Sequence, residues 1–229
     1  MSQAHPMSPQ PASQPIVIDQ VDAESYLEGL SISLPDILDG LTDAYDAASN
    51  RDDSYWPTTA RGLELWAQLV HHVRQSLDAS DAWTVKNPHN RPVMIRESGN
   101  YEFAVARGDS GTGKLDTIPN LARAAGTETT HSANRFSAHE QLTLITLSEI
   151  KKASESDTSK YPVGTWFLLY RSDNGIIRSE ISLPAHISTD GFVESWHVRV
   201  LLPDIDDFVT GDRKPLPTTL DDDIAFNIA

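Results

Sequence analysis

From Ala60 to Ala79 apolar residues recur at three- and four-residue spacing: Leu63, Trp66, Val70, Val73 and Leu77. That period sets them on one face of an amphipathic helix and predicts that the face packs in a core. Thr58 or Thr59 stands where an N-cap belongs. A second helix is predicted from Pro35, whose fixed φ suits a first turn, with Ile37, Leu38, Leu41 and Tyr45 on one side. Gly40 in its interior costs about 1 kcal/mol against alanine. Upstream, Tyr26 and Leu27 fit the opening of a short helix.

Downstream the period shortens to two. Trp83–Lys86 reads as a short strand and Asn87–Asn90 as a turn. Arg91–Arg107 then reads as a hairpin around Gly99-Asn100. A two-residue loop there sets Ile95 opposite Ala104 and Glu97 opposite Glu102. Opposed carboxylates are destabilising, so this register calls for a cation, a shared proton or a slip. Residues 165–183 form a second hairpin around Asn174-Gly175, a type I′ dipeptide, with Arg171 opposite Arg178. Trp166, Leu168 and Tyr170 then share a face with Ile181 and Leu183. A third strand, Phe192–Leu202, carries Phe192, Trp196, Val198, Val200 and Leu202 on one face. Between Lys114 and Phe136 the pattern is irregular, with one helical turn expected over 120–125, and 142–150 fits strand or helix. Together these elements predict an α+β fold: N-terminal helices packed on a mainly antiparallel sheet of about five to seven strands.

Composition bounds this picture. The chain has 229 residues, enough for one well-packed domain. Residues 1–20, rich in Pro, Gln and Ser at their start, read as a disordered tail; 21–205 read as the domain and 206–229 as an acidic tail. There is no cysteine, which excludes disulfides, thiolate metal sites and a cysteine nucleophile. The N-terminus lacks the apolar core of a secretory signal, and no run is long enough to span a membrane, so a cytoplasmic location is expected. The net charge of −15 argues against non-specific nucleic-acid binding. The charge is uneven: residues 1–60 carry ten acids and one base, whereas 86–136 carry seven bases and five acids.

That basic region holds the nearest approach to a chemical motif. Gly108–Lys114, GDSGTGK, satisfies the spacing G-x-x-x-x-G-K, in which glycines let backbone N–H groups wrap a phosphate and the lysine neutralises it. Leu115 stands where a Mg²⁺-binding Ser or Thr belongs, and Pro119 interrupts the helix that should follow. Arg107, Gly108, Gly111, Gly113 and Lys114 are therefore the candidate anion-binding residues, with exposed backbone donors expected. Glu149 and Lys151 have the E-x-K spacing of a metal-dependent nuclease of the PD-(D/E)xK kind. His71 and His72 on the long helix lack an identifiable third ligand, so no metal site is assigned.

No catalytic set assembles from spacing, and no cofactor is called for. The leading expectation is a non-enzymatic protein-interaction or accessory subunit whose partner is another protein. Its docking residues would be Arg171, Arg178, Trp196 and Arg199 on the sheet, with Ile224 and Phe226 in the tail, where the acidic run Asp221–Asp223 meets an aromatic. The alternatives are a phosphate- or nucleotide-binding protein using Gly108–Lys114, and a Mg²⁺-dependent nuclease using Glu149 and Lys151.

Overall fold

The structure is a computed structural model, described for residues 14–49, 55–57, 59–96, 100–137, 161–173 and 175–206. Its elements in chain order are β1 (Ile16–Ile18), α1 (Ala23–Glu28), α2 (Leu34–Ser49), α3 (Ala60–Asp78), β2 (Thr84–Lys86), β3 (Val93–Arg96), β4 (Tyr101–Arg107), α4 (Thr127–Ser137), β5 (Gly164–Asp173), β6 (Ile176–Ile187), β7 (Val193–Leu201) and β8 (Ile205–Asp206). The α+β class holds, with eight strands in one mixed, mostly antiparallel sheet, ordered β1-β7-β6-β5-β4-β3-β2, and β8 beside β6. The parallel pairs are β1–β7 and β4–β5. Ile16–Ile18, inside the stretch assigned to the N-terminal tail, form the edge strand β1, because Ile18 finds a place in the core.

The sheet separates two apolar layers. On one side α1, α2 and α3 cover Phe103, Trp166, Leu168, Ile181 and Val200. On the other, α4 and the chain after β4 cover Val93, Phe167, Leu169, Ile187 and Trp196. The segment from β4 to α4 thus crosses to the second face. The helix α4 lies where irregular chain was expected, and its mostly polar sequence hides a short buried stripe at Ser132 and Ala133. Residues 120–125 are not helical.

Helix α3 has its predicted ends but a rotated core face. Leu65, Leu69, Val73 and Leu77, strictly four apart, are buried, while Leu63 faces solvent. Trp66 is half-buried and donates its Nε1–H to the Val105 carbonyl, 3.3 Å away. Either stripe satisfies helical periodicity; packing against α2 selects one. The two helices approach closely at Gly40, where a Cβ would stand 3.0 Å from His72 Cβ, so the glycine that weakens α2 also lets it seat.

The β5–β6 hairpin has the predicted register, with Asp173 paired to Ile176 and Arg171 to Arg178. The β3–β4 hairpin differs. Arg96 pairs with Tyr101 and Ile95 with Glu102, so the connection spans residues 97–100 rather than two residues. A two-residue slip leaves every side chain on its own face and changes only its partners. It removes Glu102 from the register opposite Glu97, which lies outside the described residues. In β7 a one-residue shift between Leu183–Val198 and Pro184–Trp196 leaves His197 unpaired and turns Trp196 to the face opposite Val198. Pro184, which has no N–H to give the ladder, sits at that shift.

Replacing Leu69 with alanine is expected to cost about 2–5 kcal/mol, because the side chain is fully buried. Leu63→Ala should stay within about 0.5 kcal/mol. Urea unfolding of the two variants checks which stripe is the core. Burial of the bulge residue His197 lowers its pKa, so below the usual imidazole value of about 6.5 the unfolded chain binds the proton more readily. The stabilisation this histidine contributes is therefore present above that pH and fades as pH falls. His197→Gln should flatten this part of a stability–pH profile measured by urea unfolding.

Candidate functional site

The glycine-rich loop and the arginine-bearing sheet face, read from the sequence as separate candidates, meet in one buried polar core. After β4 the chain turns back over β6 and β7. Gly108 N–H donates to the Tyr170 carbonyl (3.1 Å) and Asp109 N–H to that of Asn120 (2.9 Å). The Asp109 side chain accepts from Gly111 N–H at 2.9 Å, and its carbonyl accepts from Thr112 N–H at 3.2 Å. Lys114 N–H donates to the Gly111 carbonyl (3.2 Å). Gly113 N–H points at Glu180 Oε2, 2.9 Å away. Gly113 has φ +70°, and a Cβ there would meet Arg178 Cβ at 2.9 Å, so only glycine lets the loop lie this close to β6.

The expectation of exposed donors is thus corrected: Gly111, Thr112 and Gly113 are buried. One backbone donor of the loop, Gly113 N–H, meets an anion, and that anion is the chain's own Glu180. That carboxylate is fully enclosed. Oε1 accepts from Ser182 Oγ (2.7 Å) and Arg199 Nε (3.1 Å), and Oε2 accepts from Arg199 Nη2 (2.6 Å) as well as from Gly113. Arg199, also buried, donates from Nη1 to the Thr117 carbonyl and from Nη2 to the Lys114 carbonyl, each at 2.9 Å. Trp196 Nε1–H reaches the Pro119 carbonyl at 2.8 Å, and Asn120 exchanges two hydrogen bonds with Val193. Every polar atom of the pair is met, which is the condition under which a buried ion pair is tolerated.

Trp196 and Arg199, expected to dock a partner, therefore lie inside, covered by residues 113–120. Arg171 and Arg178 remain half-buried and directly opposed. Asp204, just before β8, answers Arg178 Nε at 3.3 Å. Arg107 shares its register with Tyr170 on the helical side of the sheet and stands apart from the loop's anion. Glu149, Lys151, Ile224 and Phe226 lie outside the described residues.

A second polar cluster was not foreseen. Glu102 forms a two-pronged ion pair with Arg91, Nη2 to Oε2 at 2.9 Å, and accepts from Ser132 Oγ of α4 and Thr165 Oγ1 of β5, each at 3.2 Å. It ties the second-face helix to the sheet. Its signal in the sequence was the predicted carboxylate conflict, which asked for a cation; the slipped register and Arg91 both supply relief. Under α1, Tyr26, Tyr161 and Trp166 stack closely, with Tyr26 and Tyr161 edge-to-face at 5.1 Å. Burial pushes the Tyr26 hydroxyl well above the usual phenol range and raises that of Tyr161. His71 and His72 meet edge-on at 5.3 Å. Among the described residues no three His, Asp or Glu side chains converge as a metal site.

Glu180→Gln and Arg199→Met are each expected to destabilise the fold by about 3–5 kcal/mol, because each strands a buried group. The double variant should cost clearly less than the two together, and a double-mutant cycle from urea unfolding measures the difference.

Comparisons of the chain with protein-family models, with curated proteins and with solved structures find no match.

Proposed function

We propose that this protein is a non-enzymatic interaction or accessory subunit that acts by docking to another protein. The observation that carries the reading is a run of large apolar side chains, close in sequence, that lie outside both cores. Tyr55 is 97% exposed, Trp56 55% and Leu63 65%, all within nine residues at the start of α3. Tyrosine and tryptophan dominate interface energetics, since they bury much area for little lost conformational freedom. Leu63 completes the patch because α3 turns Leu65 and Leu69 inward instead. The docking set thus moves from the sheet face, which the 113–120 loop covers, to the helical layer. The tail Asp221–Phe226 keeps its place as a second docking element.

The phosphate alternative draws less support, because a ligand at Gly113 would have to displace Glu180 from a site that already satisfies it. The nuclease alternative rests on Glu149 and Lys151, outside the described residues.

The test is affinity capture by the tagged full-length chain from its own host. A partner retained by the natural chain should be lost with Tyr55→Ser and Trp56→Ser together, while the melting temperature stays within a few degrees. Recovery of the natural chain alone, as a monomer, would overturn the reading.

A further inference from the structure

The docking patch sits at one end of a helical layer whose first two helices carry charge of a single sign. Residues 14–49 contain eight acids (Asp19, Asp22, Glu24, Glu28, Asp36, Asp39, Asp43 and Asp46) and no Lys, Arg or His. On α2, Asp36, Asp39 and Asp43 are exposed at i, i+3 and i+7, which sets them in one stripe along the solvent face, about 10 Å long. Helix α3 runs antiparallel beside it: Ser76 Oγ donates to Asp36 Oδ2 at 3.3 Å, and His72 packs on Gly40. The end of α2 that carries Asp43 therefore lies at the end of α3 that carries Leu63.

Neither arginine of α3 stands exposed on the solvent face. Arg61 is buried. Arg74 spends its Nη2 on the Lys86 carbonyl (2.6 Å) and Asn87 Oδ1 (2.7 Å), at the sheet edge. An apolar patch flanked by an acidic stripe selects its occupant by charge. Anionic partners, nucleic acid included, are repelled, whereas a cationic segment gains at every carboxylate.

We propose that this surface takes a basic, amphipathic segment of a partner protein. Its lysines or arginines lie along Asp36, Asp39 and Asp43, and an apolar side chain seats against Tyr55, Trp56 and Leu63. The inference rests on the docking reading above and adds the partner's chemistry to it. The aromatic end supplies most of the affinity, and the carboxylates supply orientation, association rate and salt sensitivity.

The probe is a fluorescently labelled amphipathic lysine–leucine peptide, with a glutamate–leucine peptide of equal length as its counterpart. Anisotropy is measured with the full-length chain. The lysine peptide should bind at low salt and the glutamate peptide should not. Asp36→Asn, Asp39→Asn and Asp43→Asn together should weaken binding about tenfold, a difference that shrinks at high salt. The same number of neutralisations elsewhere (Asp116→Asn, Asp190→Asn and Glu194→Gln) should leave binding unchanged. Equal weakening by both sets would mean attraction to net charge alone and would overturn the inference, as would no weakening by the α2 set. Loss of the peptide in Tyr55→Ser/Trp56→Ser without loss in the α2 set would also overturn it, while leaving the docking patch standing.

Discussion

The buried pair Glu180–Arg199 is the constraint on which the second face of this protein depends. Two charges removed from water cost several kcal/mol each unless every donor and acceptor is met. Here they are met by a segment whose larger apolar side chains, Leu115 and Ile118, face solvent: Gly113 N–H and the carbonyls of Lys114 and Thr117. The loop is held down by polar satisfaction more than by hydrophobic burial, and Trp196 and Asn120 fasten its far end. With it in place, the chain can cross from β4 to α4 and cover Phe167, Leu169 and Ile187.

The same logic recurs at Glu102, where Arg91, Ser132 and Thr165 converge from a loop, α4 and β5. Both second-face clusters join a strand carboxylate to segments distant in sequence. The first face works differently. There α1–α3 pack through aliphatic and aromatic side chains. That division explains why the polar residues that looked most functional in the sequence are internal. It also leaves Tyr55, Trp56 and the exposed acids of α2 outside both cores.

Much of the fold could be read in advance where the signal was local. The Asn174-Gly175 turn predicted its register correctly because a type I′ turn dictates which residues face each other. The span of α3 followed from its period. Where two arrangements satisfied the same local rule, the reading could not choose. Leu63 and Leu65 both fit a helical stripe, and the packing of α2 through Gly40 decides between them. Trp196 alternates with Val198 only until the bulge at His197 reverses the count. The candidate site was legible only in half. The motif Gly108–Lys114 pointed to an anion, and Arg171, Arg178 and Arg199 to a charged sheet face, but nothing in their spacing said that Gly113 and Arg199 meet at Glu180.

By itself the sequence determined the class of fold, the positions of the main helices and hairpins, and an acidic surface without a basic counterpart in residues 14–49. These are properties of short windows and of composition, which hold whatever the rest of the chain does. The tertiary structure alone decided which anion the glycine loop holds, which face of α3 is core, and which aromatics remain in water. Those outcomes depend on contacts between residues up to 85 positions apart, as between Lys114 and Arg199. Such contacts are selected by the joint satisfaction of buried charges, a condition that no single stretch of chain carries.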